Sequence, residues 1–209
     1  MTLLVRALVL LLAMLSLRAS GFAVRRGLFA AAASRGGRLL ASSAPTSLPP
    51  RTVVCKSEEE IEALGARLSE VAGVGDVLLL RGDLGAGKTT LARGLIRHKF
   101  CDETLRVTSP SYLLDNSYEY GEDQVIHHMD LYRLPTGCDL SMLGMPAIFS
   151  TCLCIIEWPQ RMGPGQMPAE FLDVDMTIGP DGQERRIMLT PSSQRWSAAL
   201  AEVLPTIET

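Results

Sequence analysis

A short run of glycines followed by a lysine and a threonine has the spacing of a phosphate-binding loop. Residues 82–89 read Gly-Asp-Leu-Gly-Ala-Gly-Lys-Thr and match the pattern G-x-x-x-x-G-K-[ST]. In this pattern the glycines let backbone N–H groups turn inward around phosphate oxygens, the lysine supplies a positive charge to the outer phosphates, and the hydroxyl can hold Mg²⁺. We therefore predict nucleotide binding by a continuous stretch of residues: Gly82, Asp83, Leu84, Gly85, Ala86, Gly87, Lys88, Thr89 and Thr90.

The segments on either side of the loop support this interpretation. Residues 76–81 read as a buried strand, and residues 90–96 continue into a helix. Phosphates held by the loop would then lie at a helix N-terminus, where backbone N–H groups attract anions. A chance match to the pattern is the alternative, and the strand–loop–helix context disfavours it.

Two acidic residues and two serines are candidates for the remaining chemistry. Phosphate transfer needs Mg²⁺ at the outer phosphates, a group that orients the attacking water, and positive charge. Asp130 and Glu157 each end a predicted strand, where an open α/β sheet forms its ligand crevice. Ser109 and Ser111 flank a proline and could present a hydroxyl to the terminal phosphate. The alternatives are acids that face solvent at strand ends and serines that serve only a turn.

Other residue types point away from a zinc or disulfide protein. The five cysteines contain no Cys-x-x-Cys pair, and the three histidines show no metal-ligand spacing with them. Cys152 and Cys154 fall on one face of a predicted strand, which favours buried thiols. Arg133 and Arg161 are candidate charge partners for phosphate, with surface salt bridges as the alternative.

The predicted elements alternate between strands and helices and then end in a hairpin. Ser57 and Glu60 form a capping box before apolar residues at helical spacing, and residues 151–156 are an almost wholly apolar strand. The first half of the domain is predicted to contain a strand near 52–54, a helix from Ser57 through Val71, the loop unit at 76–96 and an extended switch-type segment at 107–120. A strand at 124–130, a helix at 139–149 bent or broken at Pro146, and a strand at 151–156 are predicted to follow. The chain is then predicted to end with an antiparallel pair at 171–178 and 186–189 around a turn at 180–182, and with an amphipathic helix containing Trp196, Leu200 and Val203. This order predicts an α/β fold of the P-loop NTPase class: a mainly parallel sheet, flanked by helices, with an antiparallel margin.

Charge divides the chain into a leader, residues 1–50, and a domain, residues 51–209. Residues 1–51 contain seven arginines and no acid, whereas the other 13 basic residues and all 23 acidic residues follow, which gives the remainder a formal charge of −10. An apolar run before a small-residue site predicts a signal peptide over about 1–21, and the Arg-, Ala- and Ser-rich stretch at about 22–50 predicts a transit peptide. This pairing resembles the bipartite leaders of proteins imported into plastids. A mitochondrial presequence is the alternative, and the lack of a disulfide framework argues against secretion.

Four motifs, in this order and spacing, resemble the TsaE family. They are Gly-Asp-Leu-Gly-Ala-Gly-Lys-Thr-Thr at 82–90, Thr-Ser-Pro-Ser at 108–111, His-x-Asp-Leu-Tyr-Arg-Leu at 128–134 and Ile-Glu-Trp-Pro at 156–159. TsaE is the small ATPase of bacterial-type tRNA threonylcarbamoyladenosine biosynthesis, and the resemblance spans about residues 55–190. It implies that Lys88 and Thr89 bind the phosphates of ATP and Mg²⁺.

The resemblance also assigns roles around the loop. It implies that Glu157 is the Mg²⁺-side acid, that Asp130 orients water or metal, and that Trp158 neighbours the site, with a merely buried aromatic as the alternative. Ser111 stands where the family generally has threonine, which keeps the hydroxyl. The stretch 138–149 is less acidic than usual, which puts partner docking there in doubt.

The function implied by the resemblance is that of an accessory ATPase. It would act with TsaB- and TsaD-like partners, contact tRNA only through that complex, and involve no membrane in its mature form. The net charge of −10 agrees with contact through partners, because an acidic domain binds the tRNA phosphate backbone poorly by itself. Alternatives are a small-molecule kinase with Arg185-Arg186 as a lid, or a binding module that never hydrolyses ATP. A GTPase is disfavoured because the only asparagine, Asn116, lies outside any Asn-Lys-x-Asp motif.

Overall fold

The computed structural model describes residues 48–121 and 123–204. The predicted leader therefore lies outside the described residues except for its last three positions. The strands are β1 Arg51–Cys55, β2 Val77–Gly82, β3 Asp115–Tyr120, β4 Gln124–Asp130, β5 Leu153–Glu157, β6 Leu172–Ile178 and β7 Arg185–Pro191, and the α-helices are α1 Glu58–Val71, α2 Lys88–Phe100 and α3 Gln194–Val203. Within this described part, no helix is both long enough and apolar enough to cross a bilayer.

The seven strands form one mixed sheet in the order β1-β7-β6-β2-β5-β4-β3. Strands β6, β2, β5 and β4 run parallel in its centre. Strand β7 continues it antiparallel on one side, as the predicted hairpin required, and β1 pairs antiparallel with β7 beyond it. The other side is also antiparallel, because β3 pairs with β4. The parallel centre and one antiparallel margin were predicted, whereas the second margin was not: the segment 107–120 was expected only to be extended.

Strand β2 is apolar from Val77 through Leu80 because both of its faces are covered there, and it ends in Arg81 and Gly82. Leu78 and Leu80 belong to the core beneath the three α-helices. Val77 and Leu79 face the opposite core, which loop segments cover. Side chains alternate across a strand, so a doubly covered central strand needs apolar residues at consecutive positions.

Helix α1 begins at the predicted cap and packs very closely against α2. Ser57 caps the helix by accepting a hydrogen bond from the Glu60 amide at 3.3 Å. A Cβ atom placed on Gly94 of α2 would lie 2.0 Å from the Glu62 carbonyl oxygen of α1. Glycine is therefore required where the helices cross. This contact helps to place α2, the helix that begins at the phosphate-binding loop.

The predicted helix at 139–149 is wrong. The chain there forms two short 3-10 helices, Ser141–Leu143 and Ala147–Ser150. Gly144 has a left-handed φ of 78° and Pro146 follows it, so the backbone cannot continue one α-helix, and the expected break at Pro146 is present. The segment still buries Leu140, Met145 and Phe149 against the sheet, which explains the helix-like apolar spacing.

Candidate nucleotide-binding site

The site lies where the central parallel strands β2, β5 and β4 end. Leu80 of β2 is in register with Glu157, the last residue of β5. Glu157 is in turn in register with Asp130, the last residue of β4. The two acids predicted from separate motifs are therefore neighbours beside the loop that follows β2.

Two glycines let the loop turn between β2 and α2. Gly82 has φ of 128°, and a Cβ atom there would lie 2.3 Å from the Met176 carbonyl oxygen. Gly87 is the N-cap of α2 and has φ of 102°. Both conformations suit glycine and disfavour other residues. The helix thus begins at Lys88, with its unpaired N-terminal amide groups at the loop.

Lys88 is folded back over the loop and is only 4% exposed. Its Nζ donates to the carbonyl oxygens of Gly82 and Asp83, each at 2.8 Å. The same nitrogen lies 4.3 Å from the centre of the Trp158 ring. Burial lowers the pKa of Lys88, and the negative charge of Glu157 and other nearby acids opposes that shift. The ammonium group is thus largely out of water, in a place where phosphate oxygens would be strong partners.

Thr89, Glu157 and His128 form a connected set beneath the loop. The Thr89 hydroxyl donates to Oε1 of Glu157 at 2.8 Å. Nε2 of His128 lies 2.9 Å from the same oxygen. Glu157 is 2% exposed and His128 is fully buried. The predicted metal-side hydroxyl and carboxylate are therefore adjacent, and a histidine for which no role was predicted holds the carboxylate from behind.

Asp130 is held by contacts to both of its carboxylate oxygens. The Ser109 hydroxyl donates to Oδ2 at 2.9 Å. The Tyr132 amide donates to Oδ1 at 2.9 Å. The hydroxyl of Ser109 also accepts from the Ser111 amide at 3.3 Å. The serines thus shape the turn, and Ser109 also fixes the carboxylate.

Trp158 takes a backbone conformation that is unusual for a bulky residue. Its φ and ψ are 60° and 48°, in the left-handed region. The turn places the indole beside Lys88 and 4.8 Å from the Tyr132 ring, centre to centre. Its amide donates to the Leu80 carbonyl at 3.1 Å. Half-buried, Trp158 forms a wall of the site.

These side chains surround a cavity of about 660 Å³, a volume in the range of small-molecule sites. The predicted residues that line it are Leu84, Gly85, Gly87, Lys88, Thr89, Thr90, Ser109, Ser111, Asp130, Glu157 and Trp158. Among the other predicted loop residues, Gly82 and Asp83 contribute carbonyl groups to Lys88, and Ala86 is buried.

The predicted arginines have different positions. Arg133 lines the cavity, with its guanidinium carbon 4.2 Å from the centre of the Tyr112 ring. Arg161 lies outside the lining and donates to the Thr136 hydroxyl at 3.0 Å. Neither forms an ion pair with any acid in residues 48–121 or 123–204. Of the pair considered as a lid, Arg186 is exposed on β7, whereas Arg185 lines the cavity and donates to the Gly85 carbonyl at 3.2 Å.

The remaining wall was not predicted. It comes from the turn before α1 and from the β6–β7 turn: Lys56, Ser57, Glu58, Ile61, Gly182 and Gln183, with Tyr132 completing the rim. These residues carry no local pattern of a binding site. The capping box at Ser57 was visible in the sequence, but it indicated only a helix start.

The cysteines and remaining histidines lie away from this chemistry. Cys152 and Cys154 are buried in the core opposite the α-helices, and burial raises the pKa of Cys154 to about 12. His127 of β4 contacts Asp115 of the edge strand β3 at 2.7 Å. Within the described segments, all five cysteines are free.

The parallel sheet, the glycine loop leading into α2 and the adjacent acids define a protein of the P-loop NTPase fold class. The family model described as "Threonylcarbamoyl adenosine biosynthesis protein TsaE" matches residues 55–187, which is more than half of the chain. The chain belongs to the TsaE family.

Individual relatives agree with this assignment. A tRNA threonylcarbamoyladenosine biosynthesis protein TsaE from Rickettsia felis is 31% identical over 142 residues, covering 68% of this chain and 81% of the relative. A protein of the same name from Streptomyces coelicolor is 33% identical over 153 residues, covering 68% and 97%. The crystal structure of YdiB from Bacillus subtilis is 28% identical, with a TM-score of 0.60, and the match covers 74% of this chain and 94% of that one.

Proposed function

We propose that this protein is a Mg²⁺-dependent ATPase that serves tRNA threonylcarbamoyladenosine biosynthesis together with TsaB- and TsaD-like proteins. It would sustain the transfer of the threonylcarbamoyl group without performing that transfer. The observation that carries the proposal is the meeting of Lys88, Thr89, Asp130 and Glu157 at one cavity. Membership of the TsaE family supplies the pathway.

Phosphate binding follows from the loop and Lys88. Backbone N–H groups at the start of α2 attract phosphate oxygens, and the helix dipole adds to that attraction. Lys88 is held by two carbonyl oxygens at 2.8 Å, so its ammonium group is already positioned at the loop. Phosphate would replace these neutral acceptors with charged ones, which make stronger hydrogen bonds.

The residues beside the loop fit a magnesium ion. Mg²⁺ prefers oxygen ligands and commonly uses one or two carboxylates together with substrate phosphates. Thr89 and Glu157 supply adjacent oxygens, and Asp130 lies at the next strand end. When bound, the ion would neutralise the charge of the outer phosphates.

Asp130 is suited to orient the attacking water. It is 4% exposed, and its two carboxylate oxygens are fixed by the Ser109 hydroxyl and the Tyr132 amide. A fixed carboxylate can accept a hydrogen bond from water and hold it in line for attack. Trp158 and Tyr132 would limit access of other water from their side of the cavity.

We also propose that the protein acts in the plastid stroma after removal of residues 1–50, with the mitochondrial matrix as the alternative. The acid-free, arginine-rich composition of that segment supports this proposal. The acidic remainder supports contact with tRNA through protein partners rather than directly.

Genetic replacement followed by reconstitution tests the function. Residues 52–209 should restore threonylcarbamoyladenosine to bacterial tRNA when the host TsaE is depleted. Lys88→Ala should fail, whereas Lys99→Ala, in the same helix but outside the cavity, should succeed. Mass spectrometry of tRNA nucleosides gives the readout.

The divergent stretch 138–149 could prevent docking to foreign partners, so failure calls for reconstitution with the organelle's own TsaB- and TsaD-like proteins. Sustained modification without this protein, or without its ATPase activity, would show that the proposal is wrong. Phosphorylation of a small metabolite by ATP would instead favour a kinase.

A further inference from the structure

We propose that His128 is a positioning residue for Glu157, holding its Oε1 through a hydrogen bond donated by its Nε2. This inference rests on the proposed function, because Glu157 is there a Mg²⁺ ligand. The inference adds His128 to the proposed metal site as a residue that contacts the Glu157 carboxylate and fixes its orientation toward the metal.

Two side chains contact one oxygen atom of Glu157. Oε1 of Glu157 accepts from the Thr89 hydroxyl at 2.8 Å and lies 2.9 Å from Nε2 of His128. Among the described residues, no hydrogen bond reaches Oε2. Glu157 is 2% exposed and His128 is 0% exposed, so water cannot easily replace either contact. Oε1 is therefore fixed by protein donors, and the other oxygen is left for further ligands.

The partners of His128 determine which ring nitrogen carries the proton. An ionised carboxylate only accepts hydrogen bonds, so Nε2 must be the donor. Nδ1 is buried and has no hydrogen-bond partner among the described residues. A buried donor left unpaired is costly, and an N–H at Nδ1 would be such a donor. A proton on Nε2 pairs that nitrogen with Oε1 of Glu157, and it requires no unpaired N–H at Nδ1.

The contact matters because Thr89 and Glu157 must be arranged together. Without His128, the carboxylate would keep Thr89 as its only described donor and could rotate about its side-chain bonds. Partners behind a metal ligand fix its orientation, and removing one typically weakens metal binding by about 10- to 100-fold. We expect a loss in this range.

A magnesium titration of the full-length protein tests the inference. The Mg²⁺ concentration needed for half-maximal tightening of ATP binding is measured by calorimetry for the wild type, His128→Leu and His128→Gln. Leucine removes the donor, whereas glutamine keeps an N–H at the end of a side chain. We expect His128→Leu to need about 10- to 100-fold more Mg²⁺ with unchanged ATP affinity in the absence of metal, and His128→Gln to recover part of the loss.

His127→Leu is the matched control, because it also removes a histidine–carboxylate contact from β4. That contact joins His127 to Asp115 and lies outside the cavity lining. It should leave the Mg²⁺ requirement unchanged. A long-range nitrogen–proton NMR spectrum of the wild-type protein, without nucleotide or metal, should also show a proton on Nε2 of His128.

Either of two results would overturn the inference. One is a folded His128→Leu protein with the wild-type Mg²⁺ requirement, and the other is an NMR spectrum in which Nε2 of His128 carries no proton. If His128→Leu does not fold, the Mg²⁺ requirement of His128→Gln and the NMR spectrum of the wild type still test the inference. A wild type that binds ATP without any response to Mg²⁺ would refute the proposed metal site itself, and this inference with it, which is a different outcome.

Discussion

Replacing Lys88 by methionine separates the charge of this side chain from its packing. Methionine keeps an unbranched apolar stem against Trp158 and removes the ammonium group that lies 4.3 Å from the ring. We expect Lys88→Met to bind ATP-Mg²⁺ more weakly and to lose turnover, because a positioned charge for the outer phosphates is gone.

The size of the effect follows from the hydrogen bonds that Lys88 exchanges. A hydrogen bond to a charged group contributes about 1.5–3 kcal/mol, which corresponds to an affinity change of about 10- to 140-fold. Lys88 must give up or share two carbonyl contacts at 2.8 Å when phosphate binds. The net loss should therefore lie in the lower part of this range, about 10- to 40-fold.

The same substitution should not destabilise the nucleotide-free protein. Burial lowers the pKa of Lys88 in the folded state, so the folded protein holds this proton less tightly than the unfolded chain does. The resulting contribution to stability is present above the unfolded-state pKa and is lost as the pH falls through the folded-state pKa. Below the folded-state pKa the buried charge thus opposes folding, and there Lys88→Met should unfold at a temperature no lower than the wild type.

Calorimetry with ATP and Mg²⁺, together with thermal unfolding, measures both effects. Lys99→Met is the matched control: Lys99 lies in the same helix and burial also lowers its pKa, but it does not line the cavity. Unchanged ATP affinity in folded Lys88→Met, or an equal loss in Lys99→Met, would refute the assignment of Lys88 to the phosphates.

Three further results are expected. Glu157→Gln should weaken Mg²⁺ dependence and turnover together, whereas Asp130→Asn should keep ATP-Mg²⁺ binding and slow hydrolysis; a metal titration with the opposite pattern would exchange the two roles. Gly94→Ala should lower the free energy of unfolding by about 1–3 kcal/mol in a denaturant titration, because its Cβ would overlap the neighbouring helix backbone. Gly73→Ala, with open space around it, should not, and equal effects would contradict the packing argument. A fluorescent reporter fused to residues 1–50 should reach a plastid, and mitochondrial fluorescence would contradict that targeting prediction.

Local patterns in the sequence predicted the loop, its flanking strand and helix, and the acids at the strand ends. Residues 82–89 are contiguous, so their spacing alone specifies the turn and the helix start. The predicted strands ending at Asp130 and Glu157 correspond to β4 and β5, and parallel strands bring their carboxyl ends to one edge. Family motifs then connected these separate segments.

Contacts between residues far apart in the sequence could not be predicted from local patterns and were found only in the tertiary structure. His128 and Glu157 are 29 positions apart, and Arg185 and Gly85 are 100 apart, so no periodicity relates them. The segment 139–149 shows the opposite failure: its apolar spacing resembled a helix, but a left-handed glycine, a proline and packing against the sheet gave two 3-10 turns. The sequence alone determined the local units and their chemistry. Only the packing of those units decided which buried partners hold each functional side chain, because such contacts depend on which surfaces meet after the sheet has assembled.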